Sequence, residues 1–570
     1  MKRGHYILII VLVFFLLIIA AAVAFFVGEV RRPVTVKAHS YLEINLSGQV
    51  QEFAIPDLFS SLFLGVRPLA VHDIWTNIRK AKGDDRIGAL LLRLNVLVCD
   101  WAKAAEIRDA VLDFRASGKK VYAYIEEGMD FDLEYFLATG CDEIVLHPLG
   151  ILGINGIGGY VPFMKKGLAK LGIRAEFEHV EEFKTAYNQF TEEGFTPAHK
   201  EMMESLYGDI FSEYVATVAR ARRKTELEVR RLVDRGFFQG EQAVEAGLID
   251  RVLYEDELLA GLSRETGSDN KIGLEDYARV ETASPNVVPR KRIALLYAVG
   301  AILPGESLPQ TIGSVTLARW IKAARQDASV AAVVMRVDSP GGSAVASDVI
   351  WREVVLTRKV KPFVVSMSDV AGSGGYWIAM AANRIVAQPQ TLTGSIGVLS
   401  GKFDMSGLYE KLGVTNEKLT FGKEADLFTS FRGLTDEERA LLKTQILWIY
   451  DKFLAKAAEG RGMTKAEIDA VGRGRVWTGR QAKDRKLIDE TGGIQVALRA
   501  AKELAGIPAG RDVRLIVWPK RRSLWSVLWG RAGTETRLSL DPKLEKGIKI
   551  LRLFGQERVW ALMPTALPLE

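Results

Sequence analysis

The chain repeats itself, and that constrains its fold more than any other feature. Asp84 through Arg93 is answered by Asp327 through Arg336, and Leu248-Ile249-Asp250 by Leu487-Ile488-Asp489, at an offset of about 240 residues. Between these ends Gly153 faces Gly394, Lys184 faces Lys423, Thr196 faces Thr435, and Gly240 to Ala243 face Gly479 to Ala482. The order is kept throughout, so two copies of one domain are expected. Each copy opens with short β-branched runs (Ile87 to Leu94; Val330 to Val337, then Phe363 to Val365), and helical patterns follow them. That alternation predicts an α/β fold of repeated β-β-α units. The segment Ser263 to Arg290 holds Gly267-Ser-Asp-Asn270 and Ser284-Pro-Asn286 and reads as the connection. The expected division is a membrane anchor at 1–30, a first domain at 38–265, a linker at 266–290, a second domain at 291–519 and a tail at 520–570.

An unbroken apolar run, Ile7 to Val27, is long enough at about 1.5 Å per residue to cross a hydrocarbon core of about 30 Å, and predicts one transmembrane helix. A cleaved signal peptide, with Ala22-Val23-Ala24 as its cleavage site, is the alternative. Lys2 and Arg3 on one side and Arg31 and Arg32, offset by Glu29, on the other do not orient the helix by charge. The tail carries Lys520-Arg-Arg522, Trp525 and Trp529 and is expected to pack on the second domain, with the membrane surface as its other possible contact.

Composition removes several function classes. Lys+Arg at 76 against Asp+Glu at 70 leaves a net charge of +6, too small a bias over 570 residues for a nucleic-acid binder. Two cysteines, Cys99 and Cys141, with no CxxC or HExxH, argue against a disulfide scaffold or a metal centre, and no cofactor is expected. All six histidines lie at or before His199, so chemistry in the second half has no local histidine.

That second half nevertheless holds three small-residue turns. Arg336-Val-Asp-Ser-Pro-Gly-Gly-Ser343 places Pro340 and two glycines directly after an apolar strand, where backbone N–H groups can turn toward a ligand. In Ala371-Gly-Ser-Gly-Gly-Tyr-Trp377, Ser373 precedes a helical run, and the N–H of Gly374 can face a developing oxyanion. Thr391-Leu-Thr-Gly-Ser-Ile-Gly397 is the third. Each alone is an ordinary turn; together, in this order inside one α/β domain, they point to a nucleophilic serine. Ser373 needs a base, and an α/β-hydrolase triad would need a histidine after it, which the chain lacks. A lysine serves if burial lowers its pKa from about 10.4 to near 7. The two repeat-related lysines, Lys184 and Lys423, are the candidates.

These motifs, with Glu182-Phe-Lys-Thr-Ala186 and Val476-Trp-Thr-Gly479, the doubled domain and the apolar N-terminus, resemble the signal peptide peptidase A family in its long, tandem, membrane-anchored form. The resemblance covers nearly the whole chain. It implies tandem ClpP/crotonase-like domains and a Ser/Lys serine peptidase that degrades cleaved signal peptides and similar unfolded apolar peptides. It implies an inner-membrane, single-pass protein with a periplasmic body, assembled as a homo-oligomeric ring or bowl, a tetramer being favoured. Carried over, Ser373 is the nucleophile of the second domain and Lys184 the base supplied by the first. Ser395 orients the lysine, Gly341 and Gly374 supply the oxyanion hole, and Lys423 is the alternative base. An offset of 241 residues puts Asp132 opposite Ser373, so the first copy lacks the serine. A crotonase-type acyl-CoA enzyme and an inactive membrane scaffold are the rival readings.

Overall fold

The computed structural model describes residues 34–54, 68–280, 291–520 and 559–563. The expected membrane helix at 7–27 lies outside them, and no helix among the described residues is long and apolar enough to cross a bilayer.

Each half builds a parallel sheet, and the two sheets have one strand order. In the first half it runs Lys271–Gly273, Ser40–Gln51, Ile87–Val98, Lys120–Ile125, Glu143–Leu146, Arg251–Val252. In the second, Arg514–Trp518, Arg292–Val299, Val330–Ser339, Phe363–Gly372, Arg384–Ala387 and Glu490–Thr491 follow in the same sequence. The second sheet extends from Phe363–Gly372 through Leu392–Gly394 to Val476–Thr478. Strands such as Ile87–Val98 and Val330–Ser339 are buried on both faces, which is why they read as near-continuous apolar runs.

The repeated residues prove to be repeated joints. Thr196 and Thr435 are the N-caps of two 26-residue helices, Pro197–Arg222 and Asp436–Arg461, each accepting from the backbone N–H three residues on. Those helices end on Arg222 and Arg461, which pair with Asp250 (3.0 Å) and Asp489 (2.7 Å). Asp250 and Asp489 in turn accept from the N–H groups of Ile144 and Ile385, both at 2.7 Å. Tyr135 and Tyr376 donate to the carbonyls of Leu248 and Leu487.

One stretch departs from expectation. Residues 271–279, inside the expected linker, form the edge strand Lys271–Gly273 of the first sheet and the helix Leu274–Arg279. Tyr277 is fully buried and donates to Asp84. The polar, glycine-containing composition reads as a connection, yet Ile272 and Tyr277 supply enough apolar contact to hold it on the domain.

Two contacts bind the halves. Buried charges cross the seam: Arg336 meets Glu52 at 2.8 Å and Glu106 at 3.0 Å, and Lys103 meets Asp338 at 2.8 Å and Asp369 at 2.6 Å. Burial pushes the Glu106 carboxyl up to about 7 despite Arg336. Removing one partner of such a cluster costs about 3–5 kcal/mol because the other charge stays buried. The second contact is a ladder in which Arg174–His179 of the first half pairs antiparallel with Leu399–Asp404 of the second. That ladder carries the chain just before Lys184 across to the second half.

Candidate active site

The strand Phe363–Gly372 ends at Ser373, which has φ +52° and opens the helix Gly374–Ala379. A non-glycine residue at positive φ is strained by about 1–3 kcal/mol and persists only where its surroundings hold it. Here the Ser373 N–H donates to the Gly394 carbonyl at 2.8 Å and its carbonyl accepts from Trp377. The flanking glycines are needed for close approach. A Cβ on Gly375 would lie 2.6 Å from the Ser339 carbonyl, and one on Gly374 would lie 2.7 Å from Ser347 Oγ.

Lys184 arrives from the first half with no exposed surface. Its Nζ lies 2.8 Å from Ser373 Oγ, 3.0 Å from Ser395 Oγ and 3.0 Å from the Ser395 carbonyl. Its backbone is seated on the second half. The Phe183 N–H donates to the Arg473 carbonyl, and a Cβ on Gly474 would come within 2.5 Å of Lys184 N. Desolvation, with no carboxylate opposing it, holds the Lys184 amine well below the usual lysine range. Ser395, at φ +51°, is fixed by its N–H on the Arg475 carbonyl. Ser373, Lys184 and Ser395 are all fully buried.

The expected oxyanion donors lie side by side, since a Cβ on Gly341 would sit 2.7 Å from Gly374 N. The Gly341 N–H donates to Ser339 Oγ at 3.2 Å. Gly342, which was not singled out from the sequence, brings its own N to 3.1 Å from the point where a Gly374 Cβ would stand. Its signal was the second glycine of the pair.

Lys423 is nowhere near this cluster in the chain. It lies in an exposed stretch with its side chain 79% accessible, 3.9 Å from Glu424. In the first copy the position of Ser373 is filled by Phe131, one residue earlier than the uniform offset indicates. Phe131 caps the helix Asp132–Ala138 and donates to the Gly153 carbonyl as Ser373 does to Gly394. Asp132 is the first helical residue, its carboxylate accepting from the N–H groups of Asn155 and Gly156, and burial pushes it up to about 7. No three-residue group of potential metal ligands occurs among the described residues.

The model of peptidase family S49 matches the chain twice, over residues 113–268 and 356–508, one match in each half. The chloroplastic serine protease SPPA of Arabidopsis thaliana is 34% identical, the match covering 84% of this chain and 71% of that one. Protease 4 of Salmonella typhi is 32% identical over 76% of this chain and 72% of its own, and Protease 4 of Haemophilus influenzae is 31% identical over 77% and 73%. Among solved structures, ClpP1 from Listeria monocytogenes aligns with 35% of this chain and 91% of its own, at 14% identity and a TM-score of 0.23. The chain belongs to peptidase family S49. It is a serine peptidase, similar over most of its length to proteins named SppA and Protease 4.

Proposed function

We propose that the chemistry is carried by a dyad of Ser373 from the second half and Lys184 from the first. The observation that carries this is the 2.8 Å approach of a fully buried lysine to a strained serine Oγ. A neutral Lys184 amine takes the Ser373 proton as Oγ attacks a peptide carbonyl, and Ser395 keeps the amine aimed. The N–H groups of Gly374 and of the Gly341-Gly342 turn receive the oxyanion. Lys184 then returns the proton to the departing amine, and water deprotonated by the same lysine hydrolyses the acyl-serine. Lys423, exposed and remote, has no part within the chain.

The substrates in this reading are extended apolar peptides such as cleaved signal peptides. Residues 7–27 anchor the chain in the inner membrane, with the body periplasmic. The two-domain division follows the repeated sheets, with residues 271–279 joined to the first domain. Homo-oligomerisation has one specific support. The Lys423 segment of the second copy, with Leu419 and Phe421 more than 90% exposed, corresponds to the Lys184 segment that is docked in the first, so it fits a second copy of this chain.

The test is labelling by a serine-directed fluorophosphonate together with hydrolysis of an unfolded apolar peptide. Adduct mapped to Ser373, with both signals lost in Ser373→Ala, is the expected outcome. Hydrolysis surviving Ser373→Ala would overturn the dyad.

A further inference from the structure

The strand Val559–Leu562 belongs to neither repeat. The second sheet is already complete at Arg514–Trp518, the counterpart of Lys271–Gly273, and residues 521–558 separate the two strands along the chain. Yet Val559–Leu562 is inserted between two strands of the catalytic half. It pairs antiparallel with Gly341–Ser343 on one side, in register Gly341 to Leu562, and with Leu399–Ser400 on the other. The Met563 N–H closes the end of the ladder on the Pro340 carbonyl at 2.7 Å.

Its position relative to the chemistry is specific. The Ala561 carbonyl abuts the α-carbon of Gly341, at the point also approached by Gly374 N, so a strand carbonyl stands beside the expected oxyanion donors. The Met563 side chain packs on Gly372, the residue before the nucleophile, and leaves no room for a Cβ there. Ala561 and Met563 are buried at 0% and 2% exposure. Without this segment, Gly341–Ser343 and Leu399–Asp404 would face each other across a gap one strand wide, with neighbouring strands about 4.8 Å apart. Two open edges separated by one strand, beside a nucleophile, accept an extended peptide through its backbone, with side-chain pockets setting preference. The first copy has no such inserted strand among its described residues: Ile151–Ile154 pairs with Gly236–Gln239 alone.

We propose that residues 559–563 are a built-in occupant of the peptide slot: the chain carries its own competitive ligand, and an extended apolar substrate binds by displacing it. The inference rests on the reading of Ser373 as nucleophile, and it adds a substrate path, a pocket over Gly372 filled by Met563, and a means of restraint.

An intramolecular competitor lowers the fraction of open slots, raising KM while leaving kcat alone. The experiment compares the full chain, the chain shortened to end at Arg558, and full-length Ala561→Pro, which keeps the length but removes a ladder N–H. A fall in KM of about tenfold in both variants, with kcat held within about twofold, is expected. A synthetic peptide of residues 557–566 should then inhibit the shortened chain competitively. An unchanged KM in both variants would overturn the proposal, as would a drop in kcat with a lowered melting temperature, which marks a structural strand. Should no Ser373-dependent hydrolysis be found, the slot is still tested by fluorescein-labelled 557–566 peptide on shortened Ser373→Ala. Saturable binding there, reduced in the full chain, supports the occupant independently of the dyad; none sinks it.

Discussion

The two halves share a sheet order, a pair of capped 26-residue helices and an Arg–Asp joint at equivalent places, yet they are furnished in opposite ways. The second half keeps the strained serine turn, while its lysine segment stays exposed. The first half docks its lysine segment on the neighbour and fills its own serine position with Phe131. Duplication lets each copy lose one half of a site that only the pair needs. The cost is dependence on the seam: Lys184 is aimed only while Arg174–His179 stays paired with Leu399–Asp404.

The largest effect expected from breaking this asymmetry is at the nucleophile. Ser373→Ala should lower kcat by about 10³-fold or more with little change in melting temperature, since loss of a nucleophile leaves only binding and oxyanion stabilisation. A first-half serine cannot compensate, and adding Phe131→Ser to Ser373→Ala should recover no hydrolysis in the same assay.

The seam comes next. Arg336→Ala leaves Glu52 and Glu106 buried without their cation and should cost about 3–5 kcal/mol, read as a fall in the denaturant midpoint.

The pH dependence sharpens the role of the lysine. Burial depresses the Lys184 pKa, and only the neutral amine accepts the serine proton, so kcat/KM should climb with pH through the depressed value and then level. The sign for stability is the same. The folded chain binds fewer protons at this site than the unfolded one between the depressed value and about 10.4, so this contribution grows with pH and is lost on acidification. Lys184→Met should remove that slope in urea titrations at several pH values.

The smallest effect is at the orienting residue. Ser395→Ala removes one of three acceptors around Nζ and should lower kcat by about 10-fold, with the alkaline limb of the pH profile displaced.

Much of this was legible in the chain because repeated residues do repeated local work. Thr196 and Thr435 mark helix starts, Asp250 and Asp489 tie helix ends to strands, and apolar runs mark doubly buried strands. The serine turn was legible because its glycines are required by contact rather than by loop flexibility. Three features were not legible, each for a physical reason. The replacement of Ser373 by Phe131 depends on a one-residue slip near Asp130, which sits at φ +61°, and a constant offset does not register it. The strand Lys271–Gly273 is too short for a period to emerge from a polar surrounding. Val559–Leu562 pairs with Gly341–Ser343 and Leu399–Ser400, far earlier in the chain, and local pattern carries no information about such partners.

The central claim is that one catalytic group comes from each half, and the most direct measurement is a side-by-side determination of kcat for Lys184→Ala and Lys423→Ala on one unfolded apolar peptide. Loss of about 10³-fold in the first and a change within about twofold in the second is the predicted result. Activity retained without Lys184 and abolished without Lys423 would contradict it.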